Sequence, residues 1–549
     1  MVEGVYHTHF LAIGGLLVSD ASTPDPVRFD ALFPQPLLAR FDQPDSSSDA
    51  GAVLLRAVDE RLGLTRALAG ALTERRATDR VQHSLHDVLQ QRIFAIACGY
   101  EDANDAARLR HDPSQKLLLD RDPVAGAALA SQPTLSRFEN ALSERELLRL
   151  GVALAERVIE RHRRRLGSRV KRITIDLDGT DDPTHGQQQG ALWNGFYGGF
   201  CYLPLLGTLQ FGAEREQYLF TALLRPGNAS ARSGAIAILR RVLRRLRAAF
   251  PTARLRVRLD GGFAAPDVFD FLEREGVEYL VAMGNNPVLA RLAEPLVQRA
   301  RAASIASGVS ERVYGHAQYQ SRSWPRARRV VIKGEVTRYP GREPRDNPRF
   351  VITNIPADAQ VVYARIYAQR GDVENRIKEL HDAIRIDRLS CTRFLANQAR
   401  LLLHAAAFAL YQELRLAAAG TSLARAQVGT MRERLLKLGG WFERTRRRTL
   451  LHLPNEAPWR HEWASIANRL QATVQRSTQA NPSSAAIDPN RGSDGSTAAG
   501  GAIRAALNAR DRTTGSPPTL PPGHQPTPTT EHRRNPNAET KSQPRARHS

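Results

Sequence analysis

The sequence predicts an α/β protein in which a mixed sheet lies between helical segments. Three observations lead there. Short apolar runs at 173–177, 200–211, 218–224, 255–259 and 279–282 have strand character. Helical spacing separates the third run from the fourth, and Pro266 opens a helix before the fifth. Over 50–165 the apolar spacing is helical, and after Arg476 there is no Phe, Trp or Tyr.

The elements follow in order. Residues 1–47 carry little pattern, and the apolar run 10–18 lacks the basic lead-in of an export signal. A helix is expected over 48–72, where Leu54, Leu55, Val58 and Leu62 recur at helical spacing, and a second over 85–96. A third begins near Ser131, a capping residue, with Pro133 suited to the first turn; Ser136 and Glu139 have capping-box spacing. A basic helix fills 152–165, so 48–168 reads as an all-helical DNA-binding domain.

Three strands, helix, strand, helix, strand is the ribonuclease-H-like order, with the first three strands antiparallel and the later ones joined by crossover helices. This core is expected over 169–282 and 361–395. Between them, 283–360 reads as a β-rich insertion, with strands at 328–336 and 349–354 around Pro340-Gly-Arg-Glu-Pro344. A helix over about 361–381 restores the core. Helices at 397–416 and 423–438 belong to a C-terminal segment, 396–472, and 473–549 reads as a disordered basic tail.

Of the 549 residues, 78 are Lys or Arg and 56 are Asp or Glu, a formal charge of +22. That balance points to a polyanionic partner, and the abundance of Arg suits bidentate phosphate contact. Cys98, Cys201 and Cys391 have no metal-ligand spacing and fit a reduced, cytoplasmic protein, here nucleoid-associated. No stretch approaches the length of a membrane span.

Three acidic residues carry the chemistry. Asp178 lies in the run Arg172-Ile-Thr-Ile-Asp-Leu-Asp-Gly179, with Asp176 on the same strand face either as the true ligand or as a supporting partner behind it. Asp260 ends the run 254–260 and precedes Gly261-Gly262, where backbone can approach closely. Glu374 lies between Arg370 and Lys378 at four-residue spacing, so the three share a helix face. A carboxylate trio of this kind can hold two Mg²⁺, with Mn²⁺ able to substitute, and two ions can activate a nucleophile on a phosphodiester. Arg370 and Lys378 then bind phosphate. Trp324, in Ser321-Arg-Ser-Trp-Pro325, is a candidate for stacking on an unpaired or flipped base. Asp181 and Asp182 read as loop or cap residues.

The chain resembles the DDE transposases of bacterial insertion sequences, and the insertion-sequence 1380 family most closely. The likeness rests on Ser84-Leu85 with Gln90-Gln91-Arg92, Gly99-Tyr-Glu-Asp-Ala-Asn-Asp105, Leu109-Arg-His-Asp-Pro113 and Ser131-Gln-Pro-Thr-Leu-Ser-Arg137. It continues through Asp176-Leu-Asp-Gly-Thr-Asp-Asp-Pro-Thr-His-Gly186, Tyr202-Leu-Pro204, Asp260 with Gly262-Phe263, and Gln369-Arg-Gly371 with Glu374-Asn375, so that it spans about 40–470. The resemblance implies Asp178, Asp260 and Glu374 as the metal-binding triad. It adds Tyr367, Arg370 and Lys378 as the signature around the glutamate, and a cut-and-join reaction on double-stranded DNA, at terminal inverted repeats and a target. A homodimer on DNA would bring two ends together. The wider signature has a lysine seven residues after the glutamate; here it is His381, so phosphate contact passes to Lys378 or in part to His381.

Two other readings compete. Ile175-Asp-Leu-Asp-Gly-Thr180 also resembles the motif of aspartate-nucleophile phosphatases, with Asp176 as the nucleophile. A DNA-binding relic without catalysis would share the fold and the charge.

Overall fold

Gly63 takes a left-handed backbone (φ +63°), and there the helix expected over 48–72 divides into α1 (Val53–Leu62) and α2 (Leu64–Gly70). A reciprocal cap between Ser84 and Asp87 opens α3 (Leu85–Ala97). Helix α4 (Gln132–Ala141) starts with Ser131 at the N-cap and Pro133 in the first turn, but the Ser131 hydroxyl faces Thr134 Oγ1 (3.2 Å) and not the backbone. Ser136 and Glu139 lie inside this helix and form no capping box; Glu139 instead turns into the core. Ser143 and Glu146 cap the 23-residue α5 (Glu144–Leu166), whose second half is the expected basic helix.

The computed structural model describes residues 25–30 and 33–480. The apolar run 10–18 and residues 481–549 lie outside the described residues; the start of the expected disordered tail, 473–480, instead continues the helix Arg460–Ala480. Within the first 47 residues, Val27–Phe29 pairs with Leu37–Ala39, and Ser46–Ser47 pairs with Gly440–Arg444.

The central strand is β1 (Arg172–Gly179), whose six interior residues are all buried. On one side it pairs antiparallel with β2 (Leu205–Phe211), which pairs antiparallel with β3 (Tyr218–Leu223). On the other it runs parallel to β4 (Arg254–Leu259), and β4 runs parallel to β5 (Glu278–Met283). Helices α6 (Ala235–Ala249) and α7 (Pro266–Arg274) connect β3 to β4 and β4 to β5. The apolar run at 200–211 is not one strand. Pro204, which has no N–H to give a ladder, separates β2 from Gly199–Tyr202, which joins a small three-stranded sheet with Asp182–Pro183 and Leu192–Asn194.

The segment expected as an insertion opens with the 21-residue α8 (Pro287–Ser307) and then extends the same sheet. Its strands are β6 (Glu311–Tyr319), β7 (Arg328–Thr337) and β8 (Arg349–Thr353), and β8 pairs with β5. The sheet order is β6-β7-β8-β5-β4-β1-β2-β3, with Arg345–Asp346 paired to β7. Helix α8 lies so close to β7 that a Cβ at Gly334 would meet the Leu296 backbone at 2.8 Å.

The helix expected over 361–381 is continuous but uneven. It is π-wound at Val361–Tyr367, regular in α9 (Gly371–Glu379), and π-wound again at Leu380–Ile384. Beyond it, α10 (Phe394–Ala417) is buried almost all round. The helix expected over 423–438 is only a turn, Val428–Met431, widening to a π turn at Arg432–Leu436 before a hairpin of Gly440–Arg444 with Thr449–His452. Among the described residues no helix is long and apolar enough to cross a membrane.

Helix α10 buries charge by sharing it. Glu139 of α4 accepts from Arg92 of α3 and Arg400 of α10, each at 2.8 Å. Glu413 meets Arg61 of α1 (2.9 Å) and Arg161 of α5 (2.7 Å). Arg415 reaches Glu379 of α9, so the same helix fixes the end of the π-interrupted one. Two glutamines on α10 also cover the free edge of β3: Gln412 accepts from Leu219 N and donates to Gln217 O, while Gln398 accepts from Leu224 N and donates to Ala222 O.

Removing one member of a buried ion cluster strands the others without solvent. Glu139→Ala is therefore expected to cost about 3–5 kcal/mol in urea unfolding, since it leaves both Arg92 and Arg400 unpaired.

Candidate active site

Alternation along β1 puts Ile173, Ile175 and Leu177 in the main core and Thr174, Asp176 and Asp178 on the opposite face. Strand β4 pairs with it in parallel, with Arg258 beside Asp176. Two residues further on, Asp178 and Asp260 therefore emerge at the same end of neighbouring strands. Asp260 uses one oxygen to hold the turn that follows, accepting from Gly262 N at 2.8 Å. A Cβ at Gly262 would sit 2.6 Å from that of Ala231, so only glycine fits there.

Asp176 is neither ligand nor nucleophile. It is fully buried and held bidentate by Arg258, at 2.8 and 2.7 Å. Arg258 also donates to Gln210 Oε1 (3.2 Å) and to the carbonyl of Ile366 (3.0 Å). The pair thus ties β1 and β4 to the helical stretch 361–384, and the phosphatase reading loses its attacking group.

That stretch brings in the third carboxylate. Arg370 is 9 % exposed, and its guanidinium collects all three acids. Its Nη2 lies 2.7 Å from Asp178 Oδ1 and 3.4 Å from Asp260 Oδ2, and its Nη1 lies 3.8 Å from Glu374 Oε1. The Arg370 Nε is buried without a partner. Glu374 is the outermost member, with 70 % of its side chain exposed. The Arg370 guanidinium thus lies within 4 Å of residues 178, 260 and 374, the last being its neighbour one turn further along the same helix.

Electrostatics follow from that arrangement. Burial lifts the Asp178 carboxyl to about 6; attraction to Arg370 opposes the rise, and Asp260 and Glu374 add to it. Burial works against the charge on Arg370, yet Asp178, Tyr367 and Asp260 outweigh it and its pKa rises. Burial likewise pushes the Tyr367 phenol up to about 12, so it stays a neutral donor.

With this geometry in view, the comparison with protein families is decisive: Transposase DDE domain group 1 matches residues 29–475. The chain belongs to the DDE transposase family. A comparison with curated proteins finds no match. DDE transposases act on DNA and generally use divalent metal ions. Three carboxylates are a donor set of the right kind for such hard cations. Among the described residues no three acidic, imidazole or thiol groups stand close enough to enclose an ion, and Arg370 contacts each of the three acids.

The other expected site residues divide. Lys378 is exposed and lines, with Asp178, Thr180, Glu374 and His381, an open recess beside the trio. His381 has contacts within the protein: its Nε2 lies 3.1 Å from Thr180 Oγ1 and its Nδ1 lies 4.0 Å from Asp387. Trp324 cannot stack on a base. It is 4 % exposed, packed between Phe269 (4.9 Å) and Tyr319 (5.3 Å), with Arg328 over its ring. Sequence reasoning missed Arg225, which donates from beneath the site to the carbonyls of Leu203 (2.7 Å) and Ala231 (2.6 Å). It also missed Asp182, a buried carboxyl with an unpartnered oxygen, lifted by burial and by Asp387 to about 8. Its only signal was its place in the Asp181-Asp182 pair.

Two outcomes are expected of the transposase. Arg258→Met should cost about 3–5 kcal/mol by leaving Asp176 buried and unpaired, and adding Asp176→Leu should recover most of the loss in chemical denaturation. Asp178 has a folded pKa near 6 against 3.8 for the free group. The folded state therefore holds that proton more tightly than the unfolded chain, and stability falls as pH rises from about 4 to about 6. Asp178→Asn should stabilise the protein by about 2–3 kcal/mol at pH 7.5 and by nothing near pH 4.

Proposed function

We propose that this transposase binds the terminal inverted repeats of a bacterial insertion sequence of the 1380 type, cuts at the element ends and joins them to target DNA by Mg²⁺-dependent phosphoryl transfer. The observation that supports the reading is that Arg370 contacts Asp178 and Asp260 at the ends of neighbouring strands while facing Glu374 one turn along its own helix. The strand order β3-β2-β1-β4-β5, with the first three strands antiparallel and the last two parallel to β1, supports a ribonuclease-H-like core.

The three carboxylates would hold the ions, which supply activation of a water or 3′-hydroxyl and stabilisation of the leaving oxygen. The chain's own groups do the rest. Arg370, already poised among the acids, offers a planar donor set matched to phosphate. Lys378 places a mobile cation at the rim of the recess, and Tyr367 contributes a neutral hydroxyl. His381, held to Thr180, lines the same recess and shares in phosphate contact. The +22 charge supplies sequence-independent attraction to duplex DNA and a steep salt dependence. Joining two ends calls for a homodimer on DNA.

The test is nicking and joining of a supercoiled plasmid carrying the flanking inverted repeats. Wild-type protein should nick it with Mg²⁺ or Mn²⁺ and not with EDTA. Asp178→Asn, Asp260→Asn and Glu374→Gln should each reduce nicking by at least about a thousandfold with DNA binding retained. Binding of the ends without nicking in either metal would identify a catalytic relic instead.

A further inference from the structure

Among the described residues, four exposed aromatic side chains gather on the hairpin that follows β1 and its Asp178. Trp193, Phe196, Tyr197 and Phe200 are 58 %, 88 %, 43 % and 57 % exposed. All four belong to the hairpin of Leu192–Asn194 and Gly199–Tyr202, whose outer partner strand, Asp182–Pro183, begins four residues after Asp178. Rings of this size are normally buried, and leaving four in water forfeits hydrophobic stabilisation that a packed position would supply.

The hairpin is built to keep them there. Its base is fixed: the Tyr202 hydroxyl donates to Gln189 O (2.8 Å) and accepts from Asn397 Nδ2 (3.2 Å), while its ring packs edge-on against Phe394. Its tip is fixed too. Asn194 Oδ1 accepts from the backbone of Phe196 (3.0 Å) and Tyr197 (3.3 Å), its Nδ2 donates to Gly227 O (2.7 Å), and Gly198 supplies the left-handed turn (φ +68°). Trp193 and Phe200 face each other across the strands with ring centroids 5.5 Å apart, and Phe196 and Tyr197 meet edge-to-face at 4.9 Å.

Position and charge narrow the occupant. Tyr197 is near enough to the site that, after burial, the charges of Asp181, Asp178 and Asp260 raise its pKa. Yet from Gly186 to Ala213 there is no charged side chain, in a chain of net +22. The hairpin therefore has no cation of its own for a phosphate and nothing that pairs with an acidic or basic peptide. It has flat π faces, the feature by which proteins hold bases that are not stacked in a duplex.

We infer that the Trp193–Phe200 hairpin holds unpaired nucleobases of the DNA strand whose phosphate lies at the Asp178–Asp260–Glu374 site. The inference rests on the DNA-cutting function proposed above and adds to it a single-stranded requirement next to the reacting phosphate. Phe196 and Tyr197, at the tip, make the stacking contacts; Trp193 and Phe200 form the platform behind them.

The experiment uses the full chain in EDTA, with fluorescence anisotropy of three labelled probes at one salt concentration. The probes are a twenty-nucleotide dT strand, a strand of equal length made of abasic sites, and a blunt twenty-base-pair duplex. Phe196→Ala/Tyr197→Ala should weaken binding of the dT strand about tenfold or more and leave the other two probes unchanged. Phe196→Trp/Tyr197→Trp should restore it. Unchanged dT binding in the alanine variant, or an equal loss on all three probes, overturns the inference. So does a shift of the DNA-free protein to a smaller species in sedimentation velocity on the same substitutions, which would make the hairpin a protein interface. Failure of the wild type to bind any probe would remove the DNA function itself, whereas good binding to all three with no effect of the variants removes only the role of the hairpin.

Discussion

One buried guanidinium sets the frame of the site. Arg258 grips Asp176 on β1, sits two residues before Asp260 on β4, and donates to the carbonyl of Ile366 on the helix that carries Tyr367, Arg370 and Glu374. Asp178 lies two residues after Asp176, and Arg370 four residues after Ile366. A charge pair with both members at 1 % exposure or less contributes little net stability, because desolvation offsets attraction. Its value lies in geometry: any slippage of strand or helix would leave a buried ion without its partner, so register is enforced where tenths of an ångström matter.

Arg370 plays the complementary part. The acids would repel one another if left bare. The guanidinium binds Asp178 and Asp260 from its own helix and faces Glu374 one turn along it, adding a second tie between helix and strand ends. Helix α10 completes the support from outside through Arg415 and Glu379. The π turns on either side of α9 change the angular step per residue, so the face that bears Arg370 and Glu374 is set locally and not by one uniform helix.

Much of this could be read from the residues alone. The strands at 173–177, 218–224, 255–259 and 279–282 announce themselves by apolar runs and by the breakers around them, and Asp178 and Asp260 are legible as strand-end acids. What could not be read depends on partners distant in sequence. Asp176 and Asp178 share a strand face and differ only in that Arg258, on the neighbouring strand, claims the first. Trp324 looks available in a Ser- and Arg-rich stretch, but Phe269 and Tyr319 enclose it. The opposite case stands at 193–200, where the fold leaves four aromatic rings in solvent that no spacing in the sequence singled out. Glu139 has the spacing of a cap, and only the approach of Arg92 and Arg400 makes it a core ion.

The glutamines of α10 that saturate the rim of β3 carry a consequence for self-association. A terminal strand with open amide and carbonyl groups invites a neighbouring molecule to add a strand, in productive dimers and in aggregates alike. Here the groups of Gln217, Leu219, Ala222 and Leu224 are already engaged from within. Copies of this protein cannot fuse their sheets along that border, and a pairing of two molecules has to be made of side chains rather than of shared backbone ladders there.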